Sequence, residues 1–197
     1  MQLVVILTIV SYALGTFPSA TLIARANGVD ISTFGSGNPG ASNVTRALGW
    51  RKGVWVYVFD ALKGAMATGL ALGLDGRALA YWCGIVAVIG HMFPAWRKMR
   101  GGKGAATGSG LLIVLNPFVV PVCLILWWLT ARITGKAVFG TLAAVAVVPV
   151  GLLVMDRPLW EFGAVFAISA LIMAKHWRNF ARLIKREEPT MSQVKAP

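Results

Sequence analysis

Residues 35–46 read Gly-Ser-Gly-Asn-Pro-Gly-Ala-Ser-Asn-Val-Thr-Arg, and residues 101–104 read Gly-Gly-Lys-Gly. Segments with so little side chain let backbone N–H groups close around an oxyanion, and Arg46 and Lys103 add the positive charge a phosphate needs. Ser36, Asn38, Ser42 and Asn43 offer neutral hydrogen bonds. Gly37 and Gly40 permit positive φ, and Pro39 stiffens the turn. Ala41–Leu48 can begin a helix whose N-terminus faces the loop, a second feature that favours an anion. Gly35, Gly37 and Gly40 also spell a dinucleotide-binding fingerprint, but an apolar run suited to a membrane helix precedes them, where that fold needs a strand. The plain alternative is an ordinary interhelical loop. Such loops seldom gather Ser, Asn, Gly and Arg with no acid among them.

Gly-His-Met-Phe-Pro at 90–94 leads into the second Gly-rich stretch, with Gly101 and Gly102 before Lys103. This is not a Walker loop, because Gly104 follows the lysine where Ser or Thr is required. Lys103 between glycines can still reach a phosphate oxygen as a point charge, whereas Lys98 and Arg100 read better as anchors to lipid headgroups. His91 suits either a hydrogen-bonded structural role or a proton carrier. A third stretch begins Lys175-His176-Trp177-Arg178-Asn179-Phe180 and continues through Arg182 to Glu187-Glu188. As a helix it places His176, Asn179 and Leu183 along one face, and its plain reading is a basic amphipathic segment on anionic headgroups. Asp60 and Lys63, three residues apart in an apolar run, read as a structural ion pair, since charges inside a membrane are costly unless paired. No clustered carboxylates stand near the Gly-rich segments, so neither a metal nor any other cofactor is expected. No H-x-x-x-x-D occurs, because Trp96 and Ala181 stand five residues after the two histidines. Nor is a Ser-His-Asp order evident.

The elements that must position these residues are dictated by composition. Of 197 residues 57% are hydrophobic and 13% charged, where a soluble domain carries about 25% charged residues. A buried core cannot absorb that deficit, whereas a lipid-facing surface can. Apolar spans fall at about 2–24, 52–74, 78–96, 104–115, 117–134, 137–155 and 158–174, each to be compared with the roughly 20 residues of a bilayer crossing. The first lacks the basic flank of a cleaved signal and reads as a retained membrane helix. The stretch 104–134 holds Asn116-Pro117 and reads either as one kinked crossing or as two short helices. Charge separates the two. With seven spans and the N-terminus outside, 16 of the 19 Lys and Arg residues lie inside, while Arg77 and Arg157 alone lie outside and Lys63 is within a span. With one crossing over 104–134 the split is nine to nine, so the positive-inside rule favours seven. The excess of base is then topological and requires no nucleic acid. Cys83 and Cys123 sit in apolar runs as small buried hydrophobes. The expected architecture is an all-α polytopic membrane protein. It has about seven transmembrane helices, two of them short around Asn116-Pro117, an outside N-terminus and a cytoplasmic C-terminus. A single domain over 1–188 is followed by a frayed polar tail at 189–197.

With these residues the chain resembles the PlsY-type family of acyl-phosphate:glycerol-3-phosphate acyltransferases over nearly its whole length. The first motif, 35–43 with Arg46, matches almost without change. The second matches at Gly-His-x-Phe-Pro and at Gly-Gly-Lys-Gly-x-Ala-Thr (101–107), with Met99 where Phe is frequent. The third keeps His176, Asn179, Arg182, Leu183 and Glu188, and departs at Trp177, where Arg is usual, and at Arg186, where Gly is usual. The resemblance implies transfer of a fatty acyl group from acyl-phosphate to the 1-hydroxyl of sn-glycerol 3-phosphate. The products are 1-acylglycerol 3-phosphate (lysophosphatidic acid) and phosphate, in the first step of bacterial phospholipid synthesis. It implies a monomeric enzyme of the inner membrane with a cytoplasmic active site and no acyl-enzyme. The catalytic set expected is His91, Lys103, Asn179 and Glu188. The expected binding set is Ser36, Gly37, Asn38, Gly40, Ser42, Asn43, Arg46, Gly101, Gly102, Lys103, His176 and Arg182. His91, Glu188 or an oxygen of the substrate phosphate would take the hydroxyl proton. The competing class is a small membrane transporter of an organic phosphate, which would bind with the same loops and do no chemistry.

Overall fold

The structure is a computed structural model that describes residues 1–191; of the expected tail, 192–197, Lys195 among them, lie outside the described residues. Among the described residues the chain forms nine α-helices and one short 3-10 turn, with no strand. They pack as two compact units, Met1–Leu115 and the chain from Asn116 on.

The first unit begins with α1 (Gln2–Gly15) and α2 (Ser19–Arg25). One continuous helix was expected over 2–24, and the break at 16–18 has a local cause. Pro18 has no N–H to donate and disfavours helical φ/ψ in Phe17. Helix α3 (Ala41–Leu48) forms where the sequence places it, and α4 (Trp50–Met92) follows. The backbone of α4 leaves the helical region at Asp75 and Gly76, Gly76 having φ +75°. Its arms, 50–74 and 77–92, correspond to the expected spans 52–74 and 78–96, the second ending four residues short of its expected end. A 3-10 turn at Ala95–Arg97 and α5 (Ala105–Leu115) complete the unit.

The surface of this unit inverts the pattern of a soluble protein. Val5, Ile6 and Ile9 on α1 and Trp55, Leu62 and Leu74 on α4 are exposed, while Ser11, Asp60 and Lys63 are buried. Lipid as solvent selects that arrangement, because polar groups must find partners inside the protein. Glycines set how closely the helices approach. A Cβ on Gly64 of α4 would run into the Thr107 carbonyl of α5, and one on Gly110 of α5 into the Ala61 carbonyl of α4. Small residues facing each other are how membrane helices gain packing without a hydrophobic drive between them. At the C-terminus of α5, the Arg77 guanidinium donates through Nη1 and Nη2 to Leu115 O, each at 3.2 Å.

The second unit contains α6 (Val119–Thr134), α7 (Ala137–Val154), α8 (Leu159–Lys175) and α9 (Trp177–Ile184). Helices α5 and α6 thus end and begin on either side of Asn116-Pro117-Phe118, the two-short-helix alternative for 104–134. Buried Asn116 accepts a hydrogen bond from Arg157 Nε at 3.0 Å. Gly135, at φ +70°, makes the turn from α6 to α7. Helices α8 and α9 meet at 49° about His176. The tail expected to fray from Pro189 is tied at its start, Met191 N–H donating to Gly135 O at 2.7 Å.

By length and apolar character, 2–25 (counting its break), 50–97 and 137–154 can each cross a bilayer, and the bent pair α8–α9 is a fourth candidate. The 43 residues of α4 would extend about 65 Å as one rod, twice the roughly 30 Å of hydrocarbon. The break at Asp75-Gly76 divides that length in two.

Candidate active site

The first Gly-rich segment is folded by Asn43. This buried side chain accepts Ser36 N–H on Oδ1 at 3.1 Å and donates through Nδ2 to Phe34 O at 2.9 Å and Ile31 O at 3.3 Å. Asn43 therefore shapes the loop from within. Positive φ falls at Gly35 (+54°) and at Gly37 (+66°), one of the two glycines expected to permit it, whereas the other, Gly40, is extended at −155°. Most of the loop's N–H groups are used inside it. Gly37 N–H donates to Phe34 O, Gly40 N–H to Asn38 O and Asn38 N–H to Ser36 Oγ. The expected open cradle of amides thus reduces to the first turn of α3. Gly40 gives that turn no side-chain cap, so its leading N–H groups and the helix dipole point towards the loop. A small core of Ala20, Ala24, Ile31, Val44, Ala47 and Val56 holds the loop between α2 and α3. Ser42 is half-buried, and Arg46 is buried in the last turn of α3.

The second Gly-rich stretch is also less open than its composition suggests. Gly101 N–H donates to Met92 O at 3.2 Å and Gly102 N–H to His91 O at 3.0 Å. A Cβ on Gly101 would strike the His91 carbonyl, and one on Gly102 would strike His91 Nε2. These glycines allow the chain to lie directly on His91. The segment is held to α1 as well: Tyr12 Oη donates to Phe93 O at 2.7 Å and accepts Ala95 N–H at 3.1 Å. Lys103 is half-buried just before α5.

Between these stretches lies a network that the sequence showed only in part. Asp60 and Lys63 do pair, at 2.8 Å, both almost fully buried. Ser19 Oγ donates to Asp60 Oδ1 at 2.6 Å, and Lys63 Nζ reaches Phe17 O at 3.1 Å and His91 Nδ1 at 2.7 Å. The Phe17 carbonyl is available because the helix breaks at Pro18. His91 Nδ1 also stands 3.6 Å from Asp60 Oδ1. Beside the network a small cleft, open to the surface, is lined by the chain at 15–21 together with Pro39, Asp60, His91, Pro94, Trp96, Arg97, Gly101 and Gly102. Pro39 brings the first motif to it, and His91, Gly101 and Gly102 bring the second. Lys103 and Arg46 are not among its walls; the cation that is, Arg97, was read in the sequence only as part of the inside charge. Arg97 Nη1 donates to Thr21 Oγ1 at 2.9 Å, and its guanidinium stacks on Trp96 at 5.8 Å. Ser19 and Thr21 were likewise missed, and Pro18 was the available signal for the break that turns them inward. Nearby Asp30 receives hydrogen bonds from the Ser32 hydroxyl and N–H, which hold its carboxyl below the usual carboxylate range; the charges of Arg25 and Arg97 add to this.

The third motif lies in the second unit, and Glu188 is bonded from within it. Glu188 accepts from Asn179 Nδ2 at 2.6 Å on Oε1 and from Arg182 Nε at 2.8 Å on Oε2. His176, buried at the bend between α8 and α9, places Nδ1 2.7 Å from Ile172 O. Trp177, the departure from the usual Arg, is exposed and stacks with Arg178 at 5.4 Å. No group of three or more His, Cys, Asp or Glu side chains able to hold a metal occurs among the described residues.

Among the described residues, helices with an apolar exterior around a buried charged network define an integral membrane protein. The sequence profile of the family described as glycerol-3-phosphate acyltransferase matches residues 5–186. Glycerol-3-phosphate acyltransferase 1 of Deinococcus radiodurans is 41% identical over 183 residues, 89% of each chain. A glycerol-3-phosphate acyltransferase of Thermus thermophilus is 37% identical over 191 residues, 94% of each chain. Among solved structures, that of PlsY, an integral membrane glycerol 3-phosphate acyltransferase, in its glycerol 3-phosphate form matches with a TM-score of 0.88 at 32% identity, covering 95% of this chain and 94% of that one. The chain belongs to the glycerol-3-phosphate acyltransferase family, of the PlsY type.

Proposed function

We propose that this acyltransferase takes its acyl group from a fatty acyl-phosphate and delivers it to the 1-hydroxyl of sn-glycerol 3-phosphate. The hydroxyl oxygen attacks the acyl carbon, the bond from that carbon to the phosphate oxygen breaks, and phosphate leaves with the electron pair. The hydroxyl proton passes to a phosphate oxygen, so the products are 1-acylglycerol 3-phosphate and hydrogen phosphate. Phosphate on an acyl carbon is already a good leaving group, so the protein need supply only proximity and charge stabilisation. Ser36 then serves as a phosphate ligand and forms no acyl-enzyme.

The observation that carries this reading is the cleft that gathers Pro39, His91, Arg97, Gly101 and Gly102 beside a helix N-terminus. We assign the first turn of α3, Ser36, Asn38 and Ser42 to one anion and Arg46, Lys103 and Arg97 to neutralising charge. On the family's pattern His176, Asn179 and Arg182 join the binding set. Two of the three candidate proton acceptors are engaged: both Glu188 oxygens accept hydrogen bonds, and His91 Nδ1 faces Lys63 Nζ. That leaves the substrate phosphate as the acceptor we favour. Seven crossings of the bacterial inner membrane, with the Gly-rich loops and C-terminus cytoplasmic, fit the uneven distribution of Lys and Arg; the monomer is our working assignment.

The test supplies purified protein in detergent with either acyl-phosphate or acyl-thioester, with and without glycerol 3-phosphate. Phosphate release that needs both acyl-phosphate and glycerol 3-phosphate is the expected result. Turnover with the thioester alone overturns the donor assignment. Uptake of glycerol 3-phosphate into vesicles with no acyl product supports the transporter in its place.

A further inference from the structure

We propose that Lys63 is a positioning residue which locks His91 as a neutral hydrogen-bond donor through Nε2, so that His91 donates to an anionic oxygen of the bound substrate and does not take the hydroxyl proton. An ammonium group has three hydrogens to donate and no lone pair. Lys63 Nζ has three acceptors around it: Asp60 Oδ1 at 2.8 Å, Phe17 O at 3.1 Å and His91 Nδ1 at 2.7 Å. The carboxylate and the carbonyl can only accept, so each takes one hydrogen. The third is directed at His91 Nδ1, which must present its lone pair. The single hydrogen of the neutral imidazole is then on Nε2.

The surroundings hold that choice in place. Ser19 Oγ–H donates to Asp60 Oδ1 at 2.6 Å, which keeps the carboxylate engaged with α2 as well as with Lys63. An imidazolium would set a second cation against the Lys63 ammonium 2.7 Å away. On its other side the ring lies against Gly102, where any side chain would displace it, and His91 lines the cleft. His176 is held the opposite way. Its Nδ1 lies 2.7 Å from Ile172 O, which can only accept, so Nδ1 carries a hydrogen there. The chain has two histidines, and the hydrogen-bond geometry assigns their ring hydrogens to different nitrogens.

The acyl-transfer reading decides only which oxygen receives the His91 hydrogen bond; the tautomer stands apart from it and can be measured without substrate. Protein labelled with ¹⁵N-histidine gives two sets of imidazole signals in a long-range ¹H–¹⁵N correlation, and His91→Gln removes one set and so assigns both. His91 is expected in the Nε2–H form and His176 with its hydrogen on Nδ1. An imidazolium or an Nδ1–H pattern at His91 overturns the proposal. Two variants then test the role. Lys63→Gln and Lys63→Met both take the cation from Asp60, but only Gln retains an N–H for Nδ1. Lys63→Gln should keep the Nε2–H spectrum and a kcat at least about fivefold above that of Lys63→Met, with KM values within about threefold of each other. Equal loss of kcat in both, with the wild-type spectrum retained, makes the pair a structural brace and sinks the positioning role. If neither variant folds, the wild-type spectrum still decides. A donor other than acyl-phosphate would leave the spectrum unchanged.

Discussion

Among the described residues, Asp60 and Glu188 are carboxylates buried against a cation, and their surroundings are assembled from different distances along the chain. Glu188 is met by Arg182 and Asn179, six and nine residues away, in one short stretch ending α9. Asp60 has Lys63 one turn along α4, but Ser19 comes from 41 residues away, and Lys63 in turn reaches Phe17 O and His91, 46 and 28 residues away. The bonds to Glu188, a local clamp, link residues of one short stretch. The distant one ties the break between α1 and α2 to both arms of α4, so the stability of the first unit and the orientation of a cleft residue depend on the same few atoms. Water also treats them differently: Arg182 is 24% exposed, while Asp60 and Lys63 are 2% and 4% exposed.

The largest expected effect is therefore at Asp60. Asp60→Asn leaves the Lys63 charge buried without its counter-ion, a change that typically costs about 3–5 kcal/mol. For a chain of this size that is a fall in Tm of about 10 °C, read by thermal unfolding in detergent. Removing both partners should hurt stability less than removing one. Asp60→Leu/Lys63→Met is expected to regain more than half of the lost Tm while activity stays low, because His91 Nδ1 no longer has its donor. A double variant as unstable as the single would mean that the two charges do not depend on each other, and the contrast with the local clamp would fail.

Glu188→Gln comes next. It keeps the shape but sets an amide NH2 against either Asn179 or Arg182, both of them donors. The expected cost is about 1–3 kcal/mol, that of a buried group left without its partner, and it is reduced because Arg182 can turn to water. Its signature should be local: hydrogen exchange speeds up over 176–188 and stays unchanged over 50–92. Faster exchange in both segments would show that the clamp is not confined to its own stretch. Lys103→Ala tests the second Gly-rich stretch. It should lower kcat/KM at least about tenfold, roughly 1.4 kcal/mol, with Tm unaltered. Near-normal kinetics would remove Lys103 from phosphate binding.

The same difference in distance explains what the sequence could show. The local clamp was legible as a motif, because His176, Asn179, Arg182 and Glu188 recur at short spacing. Helix α3 was legible from the Gly-Ala-Ser start, and the interruption between α5 and α6 from Asn116-Pro117. Within the distant clamp only the pair at i and i+3 could be seen. Ser19 and the Phe17 carbonyl became partners because Pro18 breaks an apolar run that hydropathy alone reads as one helix. Composition misled at the glycines in a specific way. Flexible loops and close packing call for the same residue, and at Gly101 and Gly102 the reason is the contact with His91. Arg97 was counted as topological charge because nothing in its neighbours along the chain shows that it faces a cleft.

The smallest effect tests how self-contained the local clamp is. Helix α9 closes with a Schellman turn: Glu187 N–H donates to Arg182 O at 2.7 Å and Arg186 N–H to Leu183 O at 3.0 Å. That turn needs its penultimate residue in the left-handed region, and Arg186 has φ +59°. A side chain there costs about 1–2 kcal/mol against glycine, part of which glycine returns through the greater freedom of the unfolded chain. Arg186→Gly should therefore raise Tm by about 2–4 °C, equivalent to roughly 1 kcal/mol. Because the turn aims Glu188 through backbone bonds alone, the hydrogen bonds to Asn179 and Arg182 should survive, and kcat/KM should stay within about twofold. A lower Tm would mean that the Arg186 side chain contributes more than its backbone strain removes. An unchanged Tm with lower activity would mean that the geometry at Glu188 depends on that side chain, and the local clamp would then need more of the molecule than its own thirteen residues, 176–188.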